Sequence, residues 1–70
     1  MITINEAAIV SRANEVLSRK GLTQFFSGTL FATCSAREAA KIETMLIDEY
    51  KCGVIVSPMR GTDEYAFDLV

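Results

Sequence analysis

The sequence contains no histidine and no tryptophan, a single proline, two cysteines and four glycines. Without histidine, the usual general base near neutral pH is missing, and so is the commonest nitrogen ligand for metals. Cys34 and Cys52 stand too far apart for a zinc-binding pair or a C-x-x-C redox pair. The glycines form no Walker loop or dinucleotide-binding fingerprint and fall instead where turns and helix ends are expected. Lysine, carboxylates or tyrosine can replace histidine in catalysis, but the sequence arranges none of them in a recognisable constellation. The expectation is a protein that is not an enzyme, with no catalytic, cofactor-binding or metal-binding residues and no cofactor.

Long apolar runs are also absent. A membrane-spanning helix needs about 20 predominantly apolar residues, and no stretch approaches that. The start, Met1-Ile2-Thr3-Ile4-Asn5-Glu6, lacks the basic and apolar regions of a signal peptide. Cys34 and Cys52 flank a predicted helix, whose rise of about 1.5 Å per residue would hold them roughly 25 Å apart. A disulfide needs Cα atoms within about 7 Å. Two free thiols fit a reducing compartment, so the chain reads as cytoplasmic, with no membrane partner.

What the sequence does have is apolar content. Half of the 70 residues are hydrophobic, and the mean hydropathy is +0.25. That excludes the composition of a disordered chain and predicts one small α/β domain over residues 1–70. So small a domain has limited interior, so part of this apolar content is expected to face a partner. The net charge is −2 and is unevenly spread. Residues 36–70 hold Arg37, Lys41, Lys51 and Arg60 against Glu38, Glu43, Asp48, Glu49, Asp63, Glu64 and Asp68. A nucleic-acid module shows the opposite, a basic patch that tracks phosphates.

Two helices are legible. Thr3-x-x-Glu6 has the spacing of a capping box, and Ile9 or Val10, Ala13, Val16 and Leu17 then recur at helical spacing to about Lys20. Glu15 and Arg19 are spaced as a favourable i,i+4 pair, and Gly21 with Leu22 suggests a Schellman end. Ser35-x-x-Glu38 opens the second helix, which carries Ala39, Ile42, Met45 or Leu46 and Tyr50 and ends near Cys52-Gly53.

Between the helices, Thr23–Cys34 reads as extended, interrupted at Ser27-Gly28 by either a tight turn or a bulge. One strand over Thr29–Thr33 is favoured, with Gln24–Ser27 as its continuation or a separate piece. Val54–Ser57 is a β-branched strand stopped by Pro58. Met59–Asp63 reads as a turn, and Glu64–Leu69 alternates apolar and polar residues. The predicted fold is α+β, in the order α-β-α-β-β. It is a three-stranded, mostly antiparallel sheet of split β-α-β type, with both helices on one face and the last strand at the centre.

Such a sheet leaves its second face open. Thr29, Thr33, Glu64, Ala66 and Asp68 are assigned to it, with Phe25 or Phe31 as apolar anchors. The strand after the Ser27-Gly28 interruption is the preferred free edge, because Pro58 blunts the alternative. The loop carrying Arg60 is a second candidate contact. The candidate partner-binding residues are therefore Phe25, Phe31, Arg60, Asp63 and Glu64. The acidic pairs Asp48-Glu49 and Asp63-Glu64 read as solvated rather than as paired-carboxylate or metal sites, since neighbours on a strand point to opposite faces. Cys34 precedes a helix start, where a thiol can be activated, but it reads as a small buried residue ending a strand.

The expected function is a small, non-catalytic, intracellular protein-binding module. Its role would be to regulate or inhibit a larger protein, in the style of the accessory proteins of phages and mobile elements. A helix, strand, helix and hairpin also resemble a reduced winged helix, which would imply nucleic-acid binding with residues 53–69 as the wing. Acidic Glu38, Glu43, Asp48 and Glu49 on its would-be recognition helix disfavour that reading. A homo-oligomeric assembly protein, in its simplest form a homodimer, is the remaining alternative.

Overall fold

The computed structural model describes residues 5–18, 21, 23–59, 61 and 63–70. The elements follow in the order α1 (Glu6–Leu17), β1 (Thr23–Phe26), β2 (Thr29–Thr33), α2 (Ala36–Tyr50), β3 (Val54–Pro58) and β4 (Glu64–Leu69).

The class is α+β, as the patterning predicts, but the sheet has four strands rather than three. Ser27 and Gly28 have φ of 53° and 83°. Both lie in the left-handed region required by a two-residue turn whose twist matches that of antiparallel strands. The segment therefore folds back on itself instead of bulging, and Phe26 pairs with Thr29 directly across the turn. The strand order is β1-β2-β4-β3, with every neighbouring pair antiparallel. Within it, β2-α2-β3 with β4 inserted is the expected split β-α-β unit. The new strand β1 adds to the outside of β2 and takes from it the role of free edge assigned from sequence. Pro58 closes β3, the other edge, where a missing N–H costs no ladder bond. Residues 53–69 are thus half of this sheet and not a wing standing away from a helical body.

The register decides which residues face the helices. Leu30 lies opposite Phe67, Ala32 opposite Tyr65, and Val56 opposite Phe67 on its other side. These side chains share one face of the sheet and meet Ile9, Ala13 and Leu17 of α1 and Ala39, Ile42, Met45 and Leu46 of α2 in one cluster. Ile9, Leu30, Ile42, Leu46 and Phe67 are wholly inaccessible. Thr23 enters this layer with its polarity satisfied: its hydroxyl donates to Asn14 Oδ1 at 2.7 Å and so fastens β1 to α1.

The helix ends differ in part from the sequence pattern. Asn5 caps α1, its Oδ1 accepting from Ala8 N at 3.0 Å, so Glu6 is the first helical residue rather than the third of a capping box. Thr3, Arg19, Lys20 and Leu22 lie outside the described residues. Ser18 takes the left-handed position that ends α1. The capping box of α2 is present as predicted: Glu38 N donates to Ser35 Oγ at 3.2 Å, and Ser35 N donates to Glu38 Oε1 at 3.0 Å. At its other end Lys51, not Gly53, is left-handed, with φ of 57°. Gly53 meets a different need. A Cβ there would stand 3.0 Å from Val70 Cγ2 and 3.2 Å from its carbonyl oxygen, beside the Val70 N to Gly53 O hydrogen bond of 2.8 Å.

Both cysteines are free, Cys34 buried and Cys52 partly exposed. Brief treatment of the native protein with iodoacetamide is expected to alkylate Cys52 well before Cys34, with both modified after unfolding without reductant. Peptide mass spectrometry reads the order. The turn offers a second check. Asparagine suits the first left-handed position better than serine, so Ser27→Asn is expected to raise stability by about 0.5 kcal/mol in urea unfolding. A loss of stability would contradict the turn geometry.

Candidate functional site: the open sheet face

Both helices pack on one side, and among the described residues no layer lies over the other side of the sheet. The register places three cross-strand rows there. One row is Phe26, Thr29, Asp68 and Ile55. The next is Gln24, Phe31, Ala66 and Ser57, and the last is Thr33 with Glu64. Strands about 4.8 Å apart and alternate residues almost 7 Å apart make this a surface of fixed spacing. Phe26 is 72% exposed and Ile55 55%, at opposite edges of the sheet. Ala66 is small and only 8% exposed, forming the floor between the flanking strands. Thr29 Oγ1 donates to Asp68 Oδ1 at 2.6 Å, a cross-strand bond that fixes two polar groups between the apolar ends.

The face is acidic. Among the described residues it carries Glu64 and Asp68 and no lysine or arginine. An ion pair between the described residues lies on the helical side. Arg12 of α1 grips Glu49 of α2 through three hydrogen bonds, Nε to Oε1 at 3.0 Å and to Oε2 at 3.3 Å and Nη2 to Oε2 at 2.9 Å, with Glu15 nearby at 3.8 Å. The hydrogen bond and charge of Arg12 hold the Glu49 carboxyl below its ordinary value against a smaller desolvation effect, and Glu49 raises Arg12.

A depression of about 170 Å³ opens at one end of the face, lined by Gly21, Thr23, Gln24, Phe31, Thr33 and Glu64. A second hollow, about 340 Å³, lies beside the start of α2 between Thr33, Cys34, Ser35, Glu38 and Asp63. In the second, the capping box already uses the helix-start groups. Cys34 points its thiol toward Ala32 O at 4.0 Å, and its backbone N–H donates to Asp63 O at 2.8 Å. Among the described residues, no three Cys, Asp or Glu side chains group as metal ligands, and no helix is long and apolar enough to cross a membrane.

The residues singled out from sequence are not brought together as one set. Phe31 and Glu64 share the open face and line the same depression. Thr29, Thr33, Ala66 and Asp68 also lie on that face as assigned. Phe25 faces the other way, packed against the core opposite Leu30. Asp63 is exposed in the loop before β4, and Arg60 lies outside the described residues. Two residues were missed, Phe26 and Ile55. The signal for Phe26 was the Ser27-Gly28 turn, which sets its parity with Thr29. For Ile55 it was its position between Val54 and Val56, both of which turn inward.

Comparisons with protein-family models, with curated proteins and with solved structures found no match.

The Arg12–Glu49 pair gives a pH prediction. Since the folded value for Glu49 lies below the unfolded one, the pair stabilises the fold above the ordinary carboxylate range, near pH 4.3. That contribution fades as pH falls through the lowered folded value. Arg12→Gln is expected to move the Glu49 midpoint upward, read by side-chain carboxyl ¹³C NMR. An unmoved midpoint would mean that the ion pair is absent in solution.

Proposed function

We propose that this protein is a non-catalytic protein-binding module that acts through the open face of its sheet, regulating or inhibiting a larger protein. The observation that carries the reading is a four-stranded sheet that the described helices cover on one side, with Phe26 and Ile55 exposed on the other. Large apolar side chains held on regular strands cost little conformational entropy on binding and suit the centre of an interface. A chain of 70 residues with this surface has the scale of the accessory proteins that phages and mobile elements use against larger machines.

The acidity of the same face weighs against nucleic acid. Single-stranded binders also stack bases on exposed sheet aromatics, but they frame those aromatics with lysine and arginine. Here Asp68 and Glu64 occupy the frame.

The test is capture from the cell of origin with the full chain as bait. Wild type is expected to retain a partner in near-stoichiometric amount. Phe26→Ala combined with Ile55→Lys should lose at least nine-tenths of it. Ile47→Lys, on the exposed side of α2, should retain it. Equal capture by all three baits would place binding elsewhere. Self-capture that disappears with the double variant would instead favour a homo-oligomer.

A further inference from the structure

We propose that the open face selects a protein partner that sets a lysine or arginine side chain on Asp68 and apolar side chains over Phe26 and Ile55. The inference rests on the reading of this face as the binding surface and states which chemistry that surface takes.

The position of Asp68 comes first. One cross-strand row runs Phe26, Thr29, Asp68 and Ile55, a residue from each of the four strands. At about 4.8 Å between strands, Phe26 and Ile55 stand roughly 14 Å apart, with Asp68 one strand from Ile55 and two from Phe26. The row lies beside the Ser27-Gly28 turn, at the opposite end of the sheet from the loop between β3 and β4.

Asp68 is exposed, and its carboxylate is already oriented. Thr29 Oγ1 donates to Oδ1 at 2.6 Å, which leaves the second oxygen able to accept. Among the described residues, no lysine or arginine pairs with Asp68.

Any surface that reaches both Phe26 and Ile55 must lie over this carboxylate. A purely apolar covering would take the charge out of water with nothing to balance it, a cost that two apolar contacts would have to offset. A lysine or arginine removes that cost by meeting the carboxylate in a charge-assisted hydrogen bond. Its methylene stem can lie along the apolar side chains meanwhile. The row therefore calls for a cation between two apolar groups. An extended segment with apolar residues at i and i+4 spans about 14 Å, with i+2 on the same side, and so matches the row. A second copy laid face to face would instead meet Asp68 with Asp68, and an anionic surface would be repelled by the same group.

The experiment titrates the full ¹⁵N-labelled chain, at low ionic strength and neutral pH, with the peptide acetyl-Leu-Ser-Lys-Ser-Leu-amide. Two control peptides replace its lysine by glutamine or both leucines by serine. Saturable amide shifts are expected at Phe26, Thr29, Ile55, Asp68 and their neighbours. The affinity should be on the order of 1 mM, because a short flexible peptide gives up much freedom on binding. The glutamine peptide should bind about fivefold more weakly, the scale of a partly exposed ion pair. The leucine-free peptide should give no saturable shifts. Asp68→Asn keeps an oxygen for Thr29 and should lower the lysine peptide to the affinity of the glutamine one. If Asp68→Asn disturbs the rest of the spectrum, salt replaces it. About 1 M sodium chloride should close the gap between the two peptides on the wild-type chain. Equal binding of lysine and glutamine peptides, shifts centred away from this row, or no saturation would overturn the inference. So would shifts of these amides on dilution of the protein alone, which would name a second copy as the occupant. That failure is separable from failure of the functional reading. Capture that needs Phe26 and Ile55 but is unchanged by Asp68→Asn sinks the cation alone. A lysine-selective response at Asp68 with capture indifferent to Phe26 and Ile55 sinks the wider reading instead.

Discussion

Leu30 on β2 and Phe67 on β4 stand directly opposite each other, both without solvent access, at the middle of the sheet. Their pairing sets the register on either side. It aligns Ala32 with Tyr65 and carries through β4 to Val56 on β3. A slip of one residue would turn every inward side chain of these strands to the opposite face. The cost would be large, because the apolar stripes of α1 and α2 would then lack a partner. The two helices therefore require one face of the sheet, and the same constraint leaves the other face without a covering element among the described residues.

Insertion of β4 between β2 and β3 also explains how short elements suffice. The centre of the sheet is made from a hairpin (β3–β4) and an antiparallel neighbour (β2), with α2 spanning the distance between β2 and β3. The outer strand β1 has only four residues and gains support from more than its ladder. Thr23 is tied to Asn14 of α1, and Phe25 packs into the core cluster beside Leu30. This polar and apolar anchoring is why α1 and β1 belong to the same body as the split β-α-β unit. Arg12 and Glu49 add an exposed clamp between the helices, and exposed pairs contribute modestly to stability.

Much of this was legible because independent signals agreed. In α2 the capping residues Ser35 and Glu38 and the stripe Ala39, Ile42, Met45 and Leu46 specify the same helix and the same buried side. In β4 strict alternation from Tyr65 to Leu69 gave both the strand and its central place. Legibility failed where one local choice controlled a whole segment. Ser27-Gly28 fits a bulge or a turn, and serine is a less telling first turn residue than asparagine. With turn and bulge both open, the sequence favoured a single strand over Thr29–Thr33, which left β1 uncounted and put the free edge on β2. The helix ends failed for a related reason: Thr3-x-x-Glu6 has capping spacing, but Asn5 is the cap, and Lys51 takes a conformation that composition assigns to glycine. The open face could be anticipated from the helix count, and Phe31, Glu64 and Asp68 were placed on it. Its apolar ends could not, because Phe26 depends on the turn and Ile55 sits in a continuous apolar run where alternation is invisible.

The chemistry of that face follows from having one small core. An interior that closes around Phe67 and Leu30 has no room for Phe26 and Ile55, which the strand period sends outward. Such residues on an open sheet invite self-association, and the protein limits this in two ways. Pro58 interrupts the β3 edge, where an incoming strand would need a donor. Asp68, held by Thr29 between the apolar ends, puts like charge at the middle of any face-to-face pair of copies. Under the proposed function, a partner that brings positive charge to the middle of this face would not meet the second of these obstacles.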